Sequence, residues 1–314
     1  MQLVTAERLE RIRRAGGRIL ASAGLRGYAQ RHLAGLRARM KAKEQELKEA
    51  KHRDPIPVAA YSDRSVPVSA FTVFGDRELR TFFEPVMISP SALGAVAVAP
   101  ATARRVMEID SLLEWDDYIR YVHGYYSAGL ERFGDGWRYA DISTAVLAAA
   151  QLGRPQRYLE IGVRRGHTLA IVAALAPTCE IVGFDMWMVD YAGMPNPGPE
   201  FVRGELQKVG FQGSLEFVNG NSHETLQAYF KQQADTFFDL ITVDGDHTEE
   251  GAEQDLRDVL PHLKVGGVLV FDDISQYPVL HDVWQRVVAA DPRFATWAFT
   301  ELGYGVAIAV RMWG

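Results

Sequence analysis

From Arg157 onward, apolar runs of strand length alternate with segments of helix length, and no other feature constrains the fold as much. Strands are expected at 157–161, 180–184, 215–218, 239–243 and 267–271. Between and after them, helices are expected at 167–176, 199–209, 222–233, 249–262 and 279–290, with one more, 142–151, leading in. Runs such as Leu240–Val243 and Val268–Phe271 read as strands buried on both faces, the pattern of a parallel sheet. Regular alternation of the two periods implies βαβ units, hence an α/β, Rossmann-like fold with helices on both faces. Two further strands, Thr296–Thr300 and Tyr304–Arg311, are separated by a short segment containing Gly303, so this last pair is expected to be antiparallel.

Ligands in such sheets bind in the crevice beyond the carboxyl ends of the strands. The run ending at Val243 delivers Asp244, Asp246 and His247 there, and the run ending at Phe271 delivers Asp272 and Asp273. Carboxylates gathered in one place repel unless a cation, a proton or a basic partner compensates them. A hard divalent metal with oxygen ligands is one such compensation. Asp246 reads as an Asx-turn residue that shapes the loop. Glu249, Glu250, Glu253, Asp255 and Asp258 read as a solvated helix face without chemistry.

The 314 residues, 47% hydrophobic, suit one large or two modest domains. A single cysteine, Cys179, excludes an internal disulfide framework and cysteine-rich metal sites, and reads as a buried small hydrophobe in a reducing, cytoplasmic setting. No apolar run reaches the 18 or more residues of a membrane span, so integral membrane association is not expected. Residues 1–50 hold 12 Lys/Arg against 5 Glu, net +7, while the rest of the chain carries −13 of the overall −6. That acidic remainder argues against broad contact with a nucleic-acid backbone and favours a small-molecule substrate.

Three parts are expected along the chain. Residues 1–52 form a basic helical arm that packs on the protein or pairs subunits in a homo-oligomer, and 53–134 form a mixed accessory or substrate-lid region. Residues 135–314 form the alternating domain. Within the accessory region, Arg53–Pro67 reads as an extended connection, Val68–Phe74 and Leu93–Val98 as β-like runs, and 108–134 as helical. Tyr118, Tyr121, Tyr125 and Tyr126 crowd that helix and could reach a substrate. The loop after Asp185, WMVDYAGMPNPGPEF, reads as a lid or a rigid excursion, with Tyr191 and Met194 as wall candidates.

The first strand runs into LEIGVRRGHT, where Gly162 and Gly166 allow a sharp turn and close approach of a ligand. The glycines are four apart and an acid, Glu160, ends the strand, so this is not the G-x-G-x-x-G of a dinucleotide site. Asp185, ending the second strand, stands where a carboxylate can accept from ribose hydroxyls.

Residues 157–312 resemble class I S-adenosylmethionine-dependent methyltransferases, in particular the metal-dependent macrolide-sugar and aminocoumarin-sugar O-methyltransferases. The likeness lies in LEIGVRRGHT, FDMW, NGNSHE, DLITVDGDHTEEGAEQDL and LKVGGVLVFDD, in that order. It implies that Glu160, Gly162 and Gly166 surround the methionine part and ribose of the cofactor, and that Asp185 holds the ribose hydroxyls. Trp187 or Met186 would lie against adenine, and Asn221 and Ser222 would read its edge, with Asn221 where relatives commonly carry Asp. It further implies a divalent metal, best magnesium, on Asp244, Asp272 and Asp273, and His247 as general base. The implied activity is methyl transfer to a hydroxyl of a small molecule, such as a natural-product sugar. Metal-independent N-methylation of a cationic substrate, or a noncatalytic cofactor-binding assembly module, stays open at this level.

Overall fold

The computed structural model describes residues 69–70, 82–83, 87–191 and 193–312. The arm at 1–52, the connection at 53–67 and most of Val68–Phe74 lie outside the described residues; Ser69–Ala70 pairs antiparallel with Phe82–Phe83.

Among the described residues, three helices precede the alternating region: α1 Pro90–Ala97, α2 Pro100–Asp110 and α3 Asp117–Phe133. The expected β-like run Leu93–Val98 is therefore helical. Ser89 caps α1 by accepting from the Ala92 N–H at 3.2 Å, and Pro90 occupies the first turn, where its missing N–H costs nothing. Tertiary packing also favours the helix, because a Cβ on Gly94 would stand 2.2 Å from the Trp297 indole. Asp116 caps α3 through the Ile119 N–H at 2.9 Å.

Helix α4, Ile142–Gly153, opens with a reciprocal Asp141–Thr144 capping box. The alternation follows in order: β1 Arg157–Ile161, α5 His167–Leu175, β2 Glu180–Asp185, α6 Pro199–Lys208, β3 Leu215–Asn219 and α7 Ser222–Gln232. Next come β4 Phe238–Val243, α8 Glu249–Val259, β5 Leu263–Asp272, α9 Pro278–Trp284, β6 Phe294–Phe299 and β7 Val306–Arg311. A single π-helical turn, 285–289, extends α9, and a short 3-10 turn, 260–262, extends α8.

The seven strands lie in the order β6-β7-β5-β4-β1-β2-β3. The run β5-β4-β1-β2-β3 is parallel, while β7 is antiparallel to both β5 and β6. The α/β, Rossmann-like expectation and the antiparallel terminal pair are thus borne out. Side-chain alternation divides the core in two: Val268 and Val270 face the layer containing Leu93, Val106 and Val146, while Leu269 and Phe271 face Leu256 and Trp284. Cys179 is buried, as expected, and burial pushes its thiol up to about 12. No helix among the described residues is long and apolar enough to cross a membrane.

Candidate active site

The carboxyl ends of β1, β2, β4 and β5 open into one cavity of about 680 Å³. Its base is the turn after β1. Gly162 has φ 89°, and a Cβ there would meet the Asp244 carbonyl oxygen at 1.7 Å. The Gly162 N–H donates to Phe184 O at 2.9 Å and the Asp244 N–H to Ile161 O at 3.0 Å, so this turn is fitted between the ends of β2 and β4. Only glycine combines that φ with that approach.

On the β2 side, Asp185 accepts from the backbone N–H groups of Arg164 at 2.6 Å and Trp187 at 2.5 Å. Asp185, Met186, Met188, Met194, Asn221 and Ser222 all line the cavity. Asn221 also caps α7, accepting from the His223 N–H at 3.1 Å. Trp187 faces elsewhere: its indole N–H donates to Asn219 Oδ1 at 2.6 Å and its ring meets Phe217 edge-on at 5.3 Å. Of the pair offered for the adenine wall, Met186 is the one in the cavity. Tyr191 lies in a two-residue ribbon with Met194.

Glu160 and Gly166 also stand behind the wall. Strand alternation turns Glu160 to the face under α5, where the Tyr158 hydroxyl donates to its carboxyl and to Thr242 Oγ1 at 2.8 Å. Complete burial pushes the Glu160 carboxyl up to about 8. Gly166, at φ 74°, lets Val202 pack where a Cβ would stand.

On the β4–β5 side, ligand atoms of Asp244, His247 and Asp273 all come within 4.8 Å of one another. His247 Nε2 is 3.1 Å from Asp273 Oδ2 and 3.7 Å from Asp244 Oδ1, and its ring stacks on Tyr277 at 4.8 Å. The carboxylates of Asp244 and Asp273 push the imidazole up to about 10. Asp272 lies outside that trio. It is buried in the same cavity wall with Oδ1 lacking a hydrogen bond, and burial, then Asp244 and Asp273, hold its carboxyl well above the usual range. Burial raises Asp244 as well. Such acids call for a cation, and three carboxylates beside an imidazole make a donor set that fits a hard divalent ion. Asp246 behaves as a loop former, accepting from the Thr248 N–H at 2.7 Å.

The α3 segment closes the cavity from above. Asp116 accepts from Arg164 Nη2 at 2.6 Å and lies 3.8 Å from Arg165 Nε. Tyr118 lines the cavity; burial, aided by Asp141 and Asp272, raises its hydroxyl well above the ordinary value, so it stays protonated. The other tyrosines of α3 do not reach it: Tyr121 is exposed, Tyr125 packs on Tyr139, and Tyr126 is buried with its hydroxyl on Asp141.

Residues 159–274 match the family model described as a methyltransferase domain. The chain carries a methyltransferase domain. The resemblance to class I S-adenosylmethionine-dependent methyltransferases read from the motifs is thereby borne out. No curated protein matches the chain. Among solved structures it is similar to the calicheamicin methyltransferase CalS11, at 21% identity over 68% of this chain and 92% of that one, with a TM-score of 0.42. It is likewise similar to the O-methyltransferase TomG of Streptomyces achromogenes, at 17% identity over 73% and 92%, with a TM-score of 0.44. A Bacillus cereus O-methyltransferase in complex with SAH aligns at 14% identity over 67% and 90%, with a TM-score of 0.44.

Two features of the methyltransferase domain escape the sequence reading. Asp255 is fully buried rather than on a solvated face, 3.7 Å from His223 Nε2, and burial pushes it up to about 6. Its place on the Ala252–Leu256–Val259 stripe of α8 is a signal that could have found it. His167 lines the cavity with Nε2 at 2.5 Å from Asp110 Oδ1, a pairing across 57 residues that no local pattern announces.

Proposed function

We propose that this methyltransferase transfers a methyl group from S-adenosylmethionine to a hydroxyl of a small molecule, with divalent-metal assistance and His247 as general base. The observation that carries the reading is the convergence of Asp244, His247 and Asp273 within 4.8 Å at the mouth of the turn built on Gly162. When bound, S-adenosylmethionine supplies a methyl group on a sulfonium leaving group, and the cation supplies charge that favours the alkoxide of the acceptor.

The remaining work falls to the chain. Asp244 and Asp273, joined by the nearby Asp272, would hold the cation. Met186 would pack against adenine, Asn221 and Ser222 would read its edge, and Asp185 would accept from the ribose. Gly162 admits the cofactor close to the backbone, with Gly166 shaping the turn. Glu160 and Trp187 act from behind the wall, fixing the ends of β1 and β2. His247 would take the hydroxyl proton once the charge of its two carboxylate neighbours is neutralised. Tyr118 and Tyr277 narrow the space around the reacting atoms, which favours in-line approach and excludes water. A natural-product sugar is the acceptor class we favour, in a soluble cytoplasmic enzyme whose basic arm pairs subunits.

The test is product mass after incubation with S-adenosylmethionine and a panel of hydroxylated and aminated acceptors, with and without magnesium. Magnesium-dependent gain of one methyl on a hydroxyl is expected. Transfer to amines alone, or transfer indifferent to chelation, would refute the respective half of the proposal.

A further inference from the structure

The turn from β1 into α5 brings four polar side chains to the cavity wall, and three are held by carboxyl groups, although the Nε atoms of Arg164 and Arg165 are buried without a hydrogen-bond partner. Arg164 donates to Asp116 at 2.6 Å, Arg165 pairs with Glu114 at 3.2 Å, and the Thr168 hydroxyl interacts with Glu160. His167 differs. Its Nε2 meets Asp110 Oδ1 at 2.5 Å, and its Nδ1 has no hydrogen-bond partner among the described residues.

Asp110 ends α2 and is fully buried, and the His167 ring is the side-chain partner of its carboxyl group. Burial alone would lower His167, but Asp110, with Asp141 and Asp116 nearby, holds it above its ordinary value. A protonated ring carries two donors, and with Nε2 committed, Nδ1–H remains for a ligand. His167 is also the first residue of α5, a nine-residue helix whose N-cap, Gly166, supplies no side-chain acceptor to its free N–H groups. Helix start and imidazolium together form a positive end of the cavity, opposite the acids at the ends of β4 and β5.

S-Adenosylmethionine has one anionic group, its α-carboxylate; its sulfonium and ammonium are cationic. We propose that His167 binds this carboxylate through Nδ1–H, and that Asp110, which lies outside the matched domain, is the positioning residue that fixes the ring. This rests on the cofactor assignment above. The accessory helices would then complete the cofactor site as well as cover it.

Calorimetric titration with S-adenosylhomocysteine and with methylthioadenosine, which lacks the amino-acid end, separates the possibilities. His167→Gln should weaken S-adenosylhomocysteine about tenfold or more, as loss of a charge-assisted hydrogen bond implies, and leave methylthioadenosine within about twofold. Asp110→Asn should narrow the preference in the same sense. Equal weakening of both ligands, or no change in either, overturns the inference. If His167→Gln does not fold, the wild-type protein decides with Asp110→Asn: a wild type indifferent to the missing amino-acid end, or an unaltered preference in Asp110→Asn, also overturns it. Failure of the wild-type protein to bind S-adenosylhomocysteine at all would instead remove the cofactor assignment.

Discussion

Asp273 adopts φ 60° and in that conformation sets its Oδ2 3.1 Å from Nε2 of His247. A left-handed backbone costs a residue with a side chain about 1 kcal/mol, a strain retained here where two successive acids turn into one cavity. Asp273→Asn and Asp244→Asn keep the shape and remove one charge each. Both variants should lose about 100-fold in transfer, on the scale seen when metal-site groups are altered, and bind magnesium more weakly. Affinity for S-adenosylhomocysteine should stay within about threefold, since neither substitution removes a cofactor contact proposed above. Parallel loss of cofactor and metal binding would contradict the division of the cavity into two halves.

His247 ties this cluster to pH. Its folded value, about 10, lies above the ordinary 6.5, so its charge contributes stability that is fully present below about 6.5 and is lost as pH rises through about 10. Chelator-treated protein should therefore show a falling unfolding midpoint across that window. His247→Gln should flatten the slope. A wild-type midpoint that does not fall across the window, or a variant with the same slope, would mean that the two carboxylates do not hold the proton.

Much of this architecture is legible in sequence because period reports fold: alternating runs predict the sheet, and acids at strand ends predict what meets beyond it. Leu93–Val98 misleads because a short apolar run has no period of its own, and a serine cap and the Trp297 contact decide its state. Asp244 and His247 are legible as neighbours on one loop. The Asp110–His167 pair is not, since folding alone brings α2 against α5. Trp187 and Glu160 could be read to the right strand ends but not to a side of them; the left-handed backbone of Trp187 and the alternation of β1 turn each away from the cavity.

Glu160 predicts a second pH effect of different range. Burial raises its folded value to about 8 against an ordinary 4.5. The unfolded chain thus ionises first, and stability present below about 4.5 is lost as pH rises through about 8. Glu160→Gln should match the wild-type midpoint near the low end of that window and exceed it at the high end in cofactor-free protein. The Tyr158 hydroxyl keeps an acceptor in the glutamine carbonyl, which isolates the charge. A variant less stable at both ends would show that the Tyr158–Glu160 contact requires the carboxylate.

Gly162→Ala tests how closely β1 and β4 meet. The added Cβ would stand 1.7 Å from a backbone oxygen of Asp244, at a φ that already disfavours alanine, so no flexible side chain can yield. Overpacking of this kind should cost about 3 kcal/mol or more in urea unfolding. Because the displaced oxygen belongs to a proposed metal ligand, magnesium affinity should fall as well. An alanine variant of wild-type stability would refute the close approach.

Asp116 does two jobs whose separation is the sharpest test of the accessory helices. Its Oδ1 caps α3 through the Ile119 N–H at 2.9 Å, and its Oδ2 receives Arg164 at 2.6 Å. Asp116→Ala removes both, leaving Arg164 and the buried Arg165 short of a counter-charge. A broken buried pair together with a lost cap should cost about 3 kcal/mol or more. Asp116→Asn keeps the cap and loses the charge, so it should recover roughly the 1 kcal/mol that a cap contributes. Because the Arg164 N–H donates to Asp185, both variants should also loosen the proposed ribose contact and weaken S-adenosylhomocysteine binding. Equal stability of the alanine and asparagine variants would show that the cap contributes nothing here. Unchanged ligand affinity in both would show that the accessory segment covers the cofactor cavity without ordering it.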